Sequence, residues 1–137
     1  MQDLLFSRAL EMLNRSYAPY SEFQVACSIM TPGRRIYAGM NIENASYSLS
    51  ICAEACAIAH LIAGGEKEIA ELCVVVNSSV MCAPCGACRQ RIQEFATPHT
   101  LIHLANVDGI IKSIALSELL PHAFGPHNLN MGVSVPQ

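Results

Sequence analysis

The chain has 137 residues, enough for one domain, residues 1–137, that buries its own core without staples. Hydrophobic residues make up 52%, charged residues 14%, and the net charge is -3. With no basic run, this excludes a surface that grips phosphate backbone or an anionic membrane, and it predicts apolar surface covered by neighbouring subunits.

The opening segment, MQDLLFSRALEMLNR, places Leu4, Leu5, Ala9, Met12 and Leu13 at near-helical spacing and predicts a helix over 3–15. It has neither the basic start nor the cleavage site of a signal peptide. SYAPYSEF reads as a loop, FQVACSIM as a strand, TPGR as a turn and RIYAGMNI as an antiparallel partner strand. ICAEACAIAHLIAGG carries small and apolar residues on nearly every side, so it predicts a helix buried in a domain or an interface, stopped by Gly64-Gly65. Its apolar stretch, residues 55–63, is broken by His60 and is too short to cross a bilayer, so a cytoplasmic location is expected. LCVVVN suits a central strand covered on both faces, and CGACRQRIQEFA suits a helix ending before Pro98. LIHLAN and GIIKSIA flank NVDG, a hairpin signal, and Ser117 is expected to cap a short helical turn, SELL. The tail AFGPHNLNMGVSVPQ shows no regular pattern. This order predicts an α/β fold: a mixed five-stranded sheet with helices on both faces and antiparallel pairs at both ends of the strand sequence.

Seven cysteines, an odd number, in a reducing compartment argue for metal binding or catalysis rather than disulfides. Cys52 and Cys85 stand at the starts of the two central helices, Cys88 follows in the first turn of the second, and both helices should start at one sheet edge. Exposed N–H groups there favour thiolates. Three thiolates with one open position make a water-activating zinc site, and Glu54 can face the metal without ligating it. Other readings remain: a structural zinc with Cys82 or Cys56 as a fourth ligand, an iron–sulfur site over Cys82, Cys85 and Cys88, or a zinc-stabilised interaction module. Cys27 and Cys73 read as small core residues, Cys56 as core packing and Cys82 as loop packing. His60, His99, His103, His122 and His127 show no ligand spacing and read as surface or satisfied structural residues.

The pairing of Cys52-Ala53-Glu54 with Pro84-Cys85-Gly86-Ala87-Cys88 matches the signature of zinc deaminases acting on nucleobases. Together with YSEFQVACS at 20–28, YAGMNIENASY at 37–47, ICAEACA at 51–57, APCGACRQ at 83–90 and LLPHAFGP at 119–126, the chain resembles the small homotetrameric cytidine deaminases over nearly its whole length. The resemblance implies a three-layer α/β/α fold and hydrolysis of cytidine and deoxycytidine to uridine and deoxyuridine, a step of pyrimidine salvage. It implies Zn2+ on Cys52, Cys85 and Cys88, with Glu54 as the proton shuttle. Asn41 and Glu43 would hold the ribose, Phe23 would pack on the nucleoside, and the backbone of Ala53 would reach the pyrimidine carbonyl. Ala45, Tyr47 and Phe124 would complete a neighbouring subunit's pocket. The implied substrate is a free nucleoside, not a nucleic acid polymer.

One position departs from the family. An arginine commonly follows the catalytic glutamate and donates to the thiolates, whereas Ala55 stands here. Arg89 and the two helix N-termini are the expected substitutes. Blasticidin S deaminases also lack that arginine, but they usually lack the intact Asn41-Ile42-Glu43-Asn44 segment, so cytidine is expected ahead of blasticidin S.

Overall fold

The computed structural model describes residues 2–129. A five-stranded sheet has the order β2-β1-β3-β4-β5, with β1 Val25–Met30, β2 Ile36–Met40, β3 Glu71–Val76, β4 Leu101–Asn106 and β5 Gly109–Ala115. Among the described strands β3 and β4 run parallel; β1 is antiparallel to both of its neighbours, and β5 is antiparallel to β4. The expected mixed sheet with an antiparallel pair at each end is therefore present.

Side-chain alternation divides the sheet into two working faces. Cys27 and Ile29 of β1, Leu72, Val74 and Val76 of β3, and Ile102 and Leu104 of β4 point to one face. They pack against α2 (Ala53–Ala63) and α3 (Gly86–Phe95) through Ala57, Leu61 and Ile92. Ala26, Met30, Cys73 and Val75 point to the other face, where α1 (Gln2–Leu13) lays Leu5, Ala9 and Leu13 at four-residue spacing. Ser28 Oγ donates to Leu5 O at 2.6 Å and fixes α1 to β1. Cys27 and Cys73 are fully buried core residues, as expected. Among the described residues no helix is long and apolar enough to cross a membrane.

Several details differ from the sequence reading. Of the two settings expected for α2, a domain centre or an interface, the single chain does not supply the first: Ile62, on the outer side, is 46% exposed. The short helix α4 begins at Leu116, and Ser117 lies inside it rather than capping it. Two long-range backbone acceptors explain the earlier start, because the N–H groups of Leu116 and Ser117 donate to Thr100 O and Pro98 O. In the tail, Pro126–Leu129 forms a fifth helical turn, α5, with Pro126 at its first position. The remainder of the tail, residues 130–137, lies outside the described residues. His60 and His103 are satisfied structural residues: His60 Nδ1 lies 3.1 Å from Ala38 O, and His103 lies between Ser113 Oγ at 2.6 Å and Glu71 Oε1 at 2.9 Å.

Gly39 sets the approach of β2 to α2. A Cβ there would lie 2.4 Å from the Ala57 nitrogen and 2.8 Å from Cys56 Cβ, so neither element could stay in place. Cys56 is thus a spacer against β2. Gly39→Ala should cost about 3 kcal/mol, the upper end of overpacking penalties, because the obstacle is backbone. Urea denaturation of the purified variant reads this directly; an unchanged midpoint would contradict the close approach.

Candidate active site

Topology gathers the site. β2 and β3 each run antiparallel to β1, so their carboxyl ends lie at one sheet edge, beside the start of β1. α2 and α3 both begin at that edge, with Cys52 and Cys85 in the half-in position before each helix. A cavity of about 360 Å³ opens there. Val25, Val74 and Val76 give it apolar wall, and Cys52, Glu54, Cys85 and Cys88 bring ionisable groups to it.

Cys52 Sγ, the Glu54 carboxylate and Cys88 Sγ lie within 4.8 Å of one another, and the two sulfurs are 2.8 Å apart. Cys88 is buried, and Glu54 is 4% exposed. Cys85 is exposed on the rim of the same cavity and does not lie within that distance of all three groups. Burial pushes the Glu54 carboxyl up to about 7, and the Cys52 sulfur beside it adds to that rise. Cys52 is pushed down by the hydrogen bond from the Cys88 thiol, helped by the Ala55 N–H and the positive charge of Arg91. Cys88, as donor to Cys52, is pushed up. Soft sulfur donors at two helix starts, beside a buried carboxyl, fit zinc by the chemistry of the donor set.

Asn41 and Glu43 line the cavity, and both organise the chain around it. Asn41 Nδ2 donates to Phe23 O at 2.8 Å, and its Oδ1 accepts from Val25 N at 3.0 Å and from the Ser16 hydroxyl. Glu43 Oε1 accepts from the N–H groups of Tyr20 and Ser21 at 2.9 and 3.1 Å, and Oε2 from the Ser21 hydroxyl. These bonds, the Ser21 hydroxyl first, hold the Glu43 carboxyl below its usual range. Both side chains are thus fixed before any ligand arrives. Phe23 and Ala53 also line this cavity.

Tyr47 lines an adjoining cavity of about 380 Å³ with Tyr20, Ser21, Glu43 and Ser50. Ala45 is exposed and lines neither cavity. Phe124 stands apart from both; its carbonyl accepts from Gln90 Nε2 at 2.9 Å, and its side chain is open to solvent.

The cationic partner of the sulfurs is not the expected one. Arg89 is occupied elsewhere, its Nε donating to Pro84 O at 2.7 Å and its Nη1 to Leu119 O at 2.8 Å. Arg91 instead reaches the sulfurs, with Nη1 3.7 Å from Cys52 Sγ and 3.8 Å from Cys88 Sγ. Helical spacing carried this signal, because residue 91 is three beyond Cys88 and shares its side of α3, whereas residue 89 is turned away. Cys82, expected to pack the loop, packs against the core and also lines the cavity.

Comparison with known proteins agrees with this geometry. Residues 1–104 match the family model described as the cytidine and deoxycytidylate deaminase zinc-binding region. The cytidine deaminase of Halalkalibacterium halodurans is 36% identical over 94% of this chain and 98% of its own length. That of Mycobacterium tuberculosis is 35% identical over 93% and 92%. The crystal structure of cytidine deaminase from Burkholderia pseudomallei superposes with a TM-score of 0.85 at 36% identity, covering 90% of this chain and 99% of that one. With a shared fold, near-complete mutual coverage and a zinc-binding motif on the cavity wall, the chain belongs to the cytidine deaminase family.

Proposed function

We propose that this chain, as one catalytic domain over residues 1–137, hydrolyses cytidine and deoxycytidine to uridine and deoxyuridine with release of ammonia. Cys52, Cys85 and Cys88 would hold Zn2+, with Cys85 reaching the ion from the cavity rim. The observation that carries the reading is Glu54: a buried carboxyl within 4.8 Å of two sulfurs, in a cavity of nucleoside size. Zinc bound there supplies the Lewis acidity that makes water a nucleophile at neutral pH.

The chain's own groups do the rest. Glu54 takes one proton from the attacking water and passes it to N3 of the pyrimidine as the water oxygen bonds to C4; it then moves the second water proton to the amino group as the C4–N bond breaks and ammonia leaves. Burial raises its pKa above the ordinary carboxylate value, which suits a group that must both take and return a proton. Asn41 and Glu43, already fixed by the 16–25 segment, hold the ribose hydroxyls. Phe23 packs on the nucleoside, and the Ala53 backbone at the start of α2 meets the pyrimidine carbonyl. The valine wall keeps water out.

The active form is a homotetramer whose subunits complete one another's pockets. Tyr47 is 75% exposed and Phe124 56% exposed, and Leu49, Ile51 and Ile62 are also open in the single chain. So much exposed apolar surface beside a catalytic cavity suits a neighbour's contribution through Ala45, Tyr47 and Phe124. Thiols that must stay free to hold a metal suit a reducing, cytoplasmic setting, and release of uridine from free nucleosides suits pyrimidine salvage.

An absorbance assay against cytidine, deoxycytidine, cytosine and blasticidin S tests the reading. The nucleosides should turn over; turnover of blasticidin S alone would overturn the substrate assignment. Phe124→Ala should raise KM several-fold in a tetramer seen by light scattering, whereas a fully active monomer would refute shared pockets.

A further inference from the structure

Arg91 belongs to the exposed side of α3, yet its guanidinium turns toward the two sulfurs at the mouth of the cavity. One contact, to Cys88 Sγ at 3.8 Å, follows from three-residue spacing on the same helix. The other, to Cys52 Sγ at 3.7 Å, crosses from α3 to the start of α2, 39 residues away in sequence. A single nitrogen therefore bridges both helices through their sulfurs.

The site has a use for such a donor. A divalent ion with three thiolates carries a formal charge of -1, and donors to the sulfurs disperse it. Ala55 contributes only its backbone N–H to Cys52. Arg89 is occupied by the carbonyls of Pro84 and Leu119.

We propose that Arg91 is the positioning residue of the metal centre: donating from α3 to the sulfurs of Cys52 and Cys88, it clamps the two helix starts together and offsets the negative charge in place of an arginine at position 55. This rests on the zinc reading above. Because the guanidinium is exposed, solvent and salt screen it, and its effect belongs at the low end of those seen for groups hydrogen-bonded to metal ligands.

The test compares the zinc-loaded parent with Arg91→Gln and Arg91→Lys. Release of zinc to a chromogenic chelator should be about tenfold faster in Arg91→Gln. Lysine keeps the charge but not the planar fork, so Arg91→Lys should fall between the two. In the cobalt-substituted proteins, loss of the charged guanidinium, which the shorter, neutral glutamine does not replace, raises the energy of the sulfur lone pairs, so the sulfur-to-metal charge-transfer band should move to longer wavelength in Arg91→Gln. Parental release and an unmoved band would overturn the proposal. Faster release with an unmoved band would overturn it as well, since general loosening of the helices does not alter sulfur donation. A parent that binds no zinc defeats the underlying reading, and this proposal with it, before any variant is compared.

Discussion

Glu54→Gln should lower kcat by about 1,000- to 10,000-fold while leaving zinc content and substrate binding near parental values. This is the upper part of the range for one acid–base group, because the same carboxyl serves both N3 and the leaving amine. The introduced amide would fill the same buried space and still hydrogen-bond, but it could neither accept nor deliver a proton. A steady-state assay with parallel zinc analysis separates this from loss of the metal; near-normal turnover would remove Glu54 from the mechanism. The same substitution has a stability signature in the metal-free protein. The folded pKa of about 7 lies above the ordinary 4.5, so the stabilisation from protonated Glu54 is complete below pH 4.5 and is lost as pH rises through 7. That shift corresponds to about 3 kcal/mol. Urea denaturation should therefore show Glu54→Gln gaining on the parent between pH 4.5 and 8, with the two curves converging at acid pH. Parallel curves would mean the buried carboxyl is not raised.

Cys88→Ala should abolish stoichiometric zinc and reduce turnover to background. Cys88 is the buried sulfur of the cluster, the partner of Cys52 at 2.8 Å and one acceptor of Arg91. Removing it leaves too few thiolates to compete for the metal, and affinity falls steeply with donor count. Alanine keeps the apolar Cβ in the first turn of α3, so far-UV circular dichroism should remain native-like. Retention of one zinc per chain would place the metal elsewhere.

Much of this was legible in the sequence for identifiable reasons. The strands β1, β3 and β4 show themselves because they are covered on both faces and read as short, nearly continuous apolar runs. The gathering of Cys52, Glu54 and Cys88 was legible because each stands at a fixed offset from a helix start. What stayed hidden depended on long-range partners. The start of α4 is set by carbonyls of Pro98 and Thr100, which no local pattern reveals. Arg89 is suggested by adjacency to Cys88, whereas the residue that reaches the sulfurs, Arg91, is placed there by three-residue helical spacing. The double duty of Asn41 and Glu43, which brace the 16–25 loop as well as line the cavity, depends on a chain reversal that the Asn41–Asn44 motif does not announce.

X-ray absorption at the zinc edge of the freshly purified, full-length protein reads the metal centre without an intermediary. One zinc per chain, with three sulfur neighbours at about 2.3 Å and one lighter atom, is the expected result. Four protein sulfurs around the ion, or a protein isolated without zinc, would contradict it.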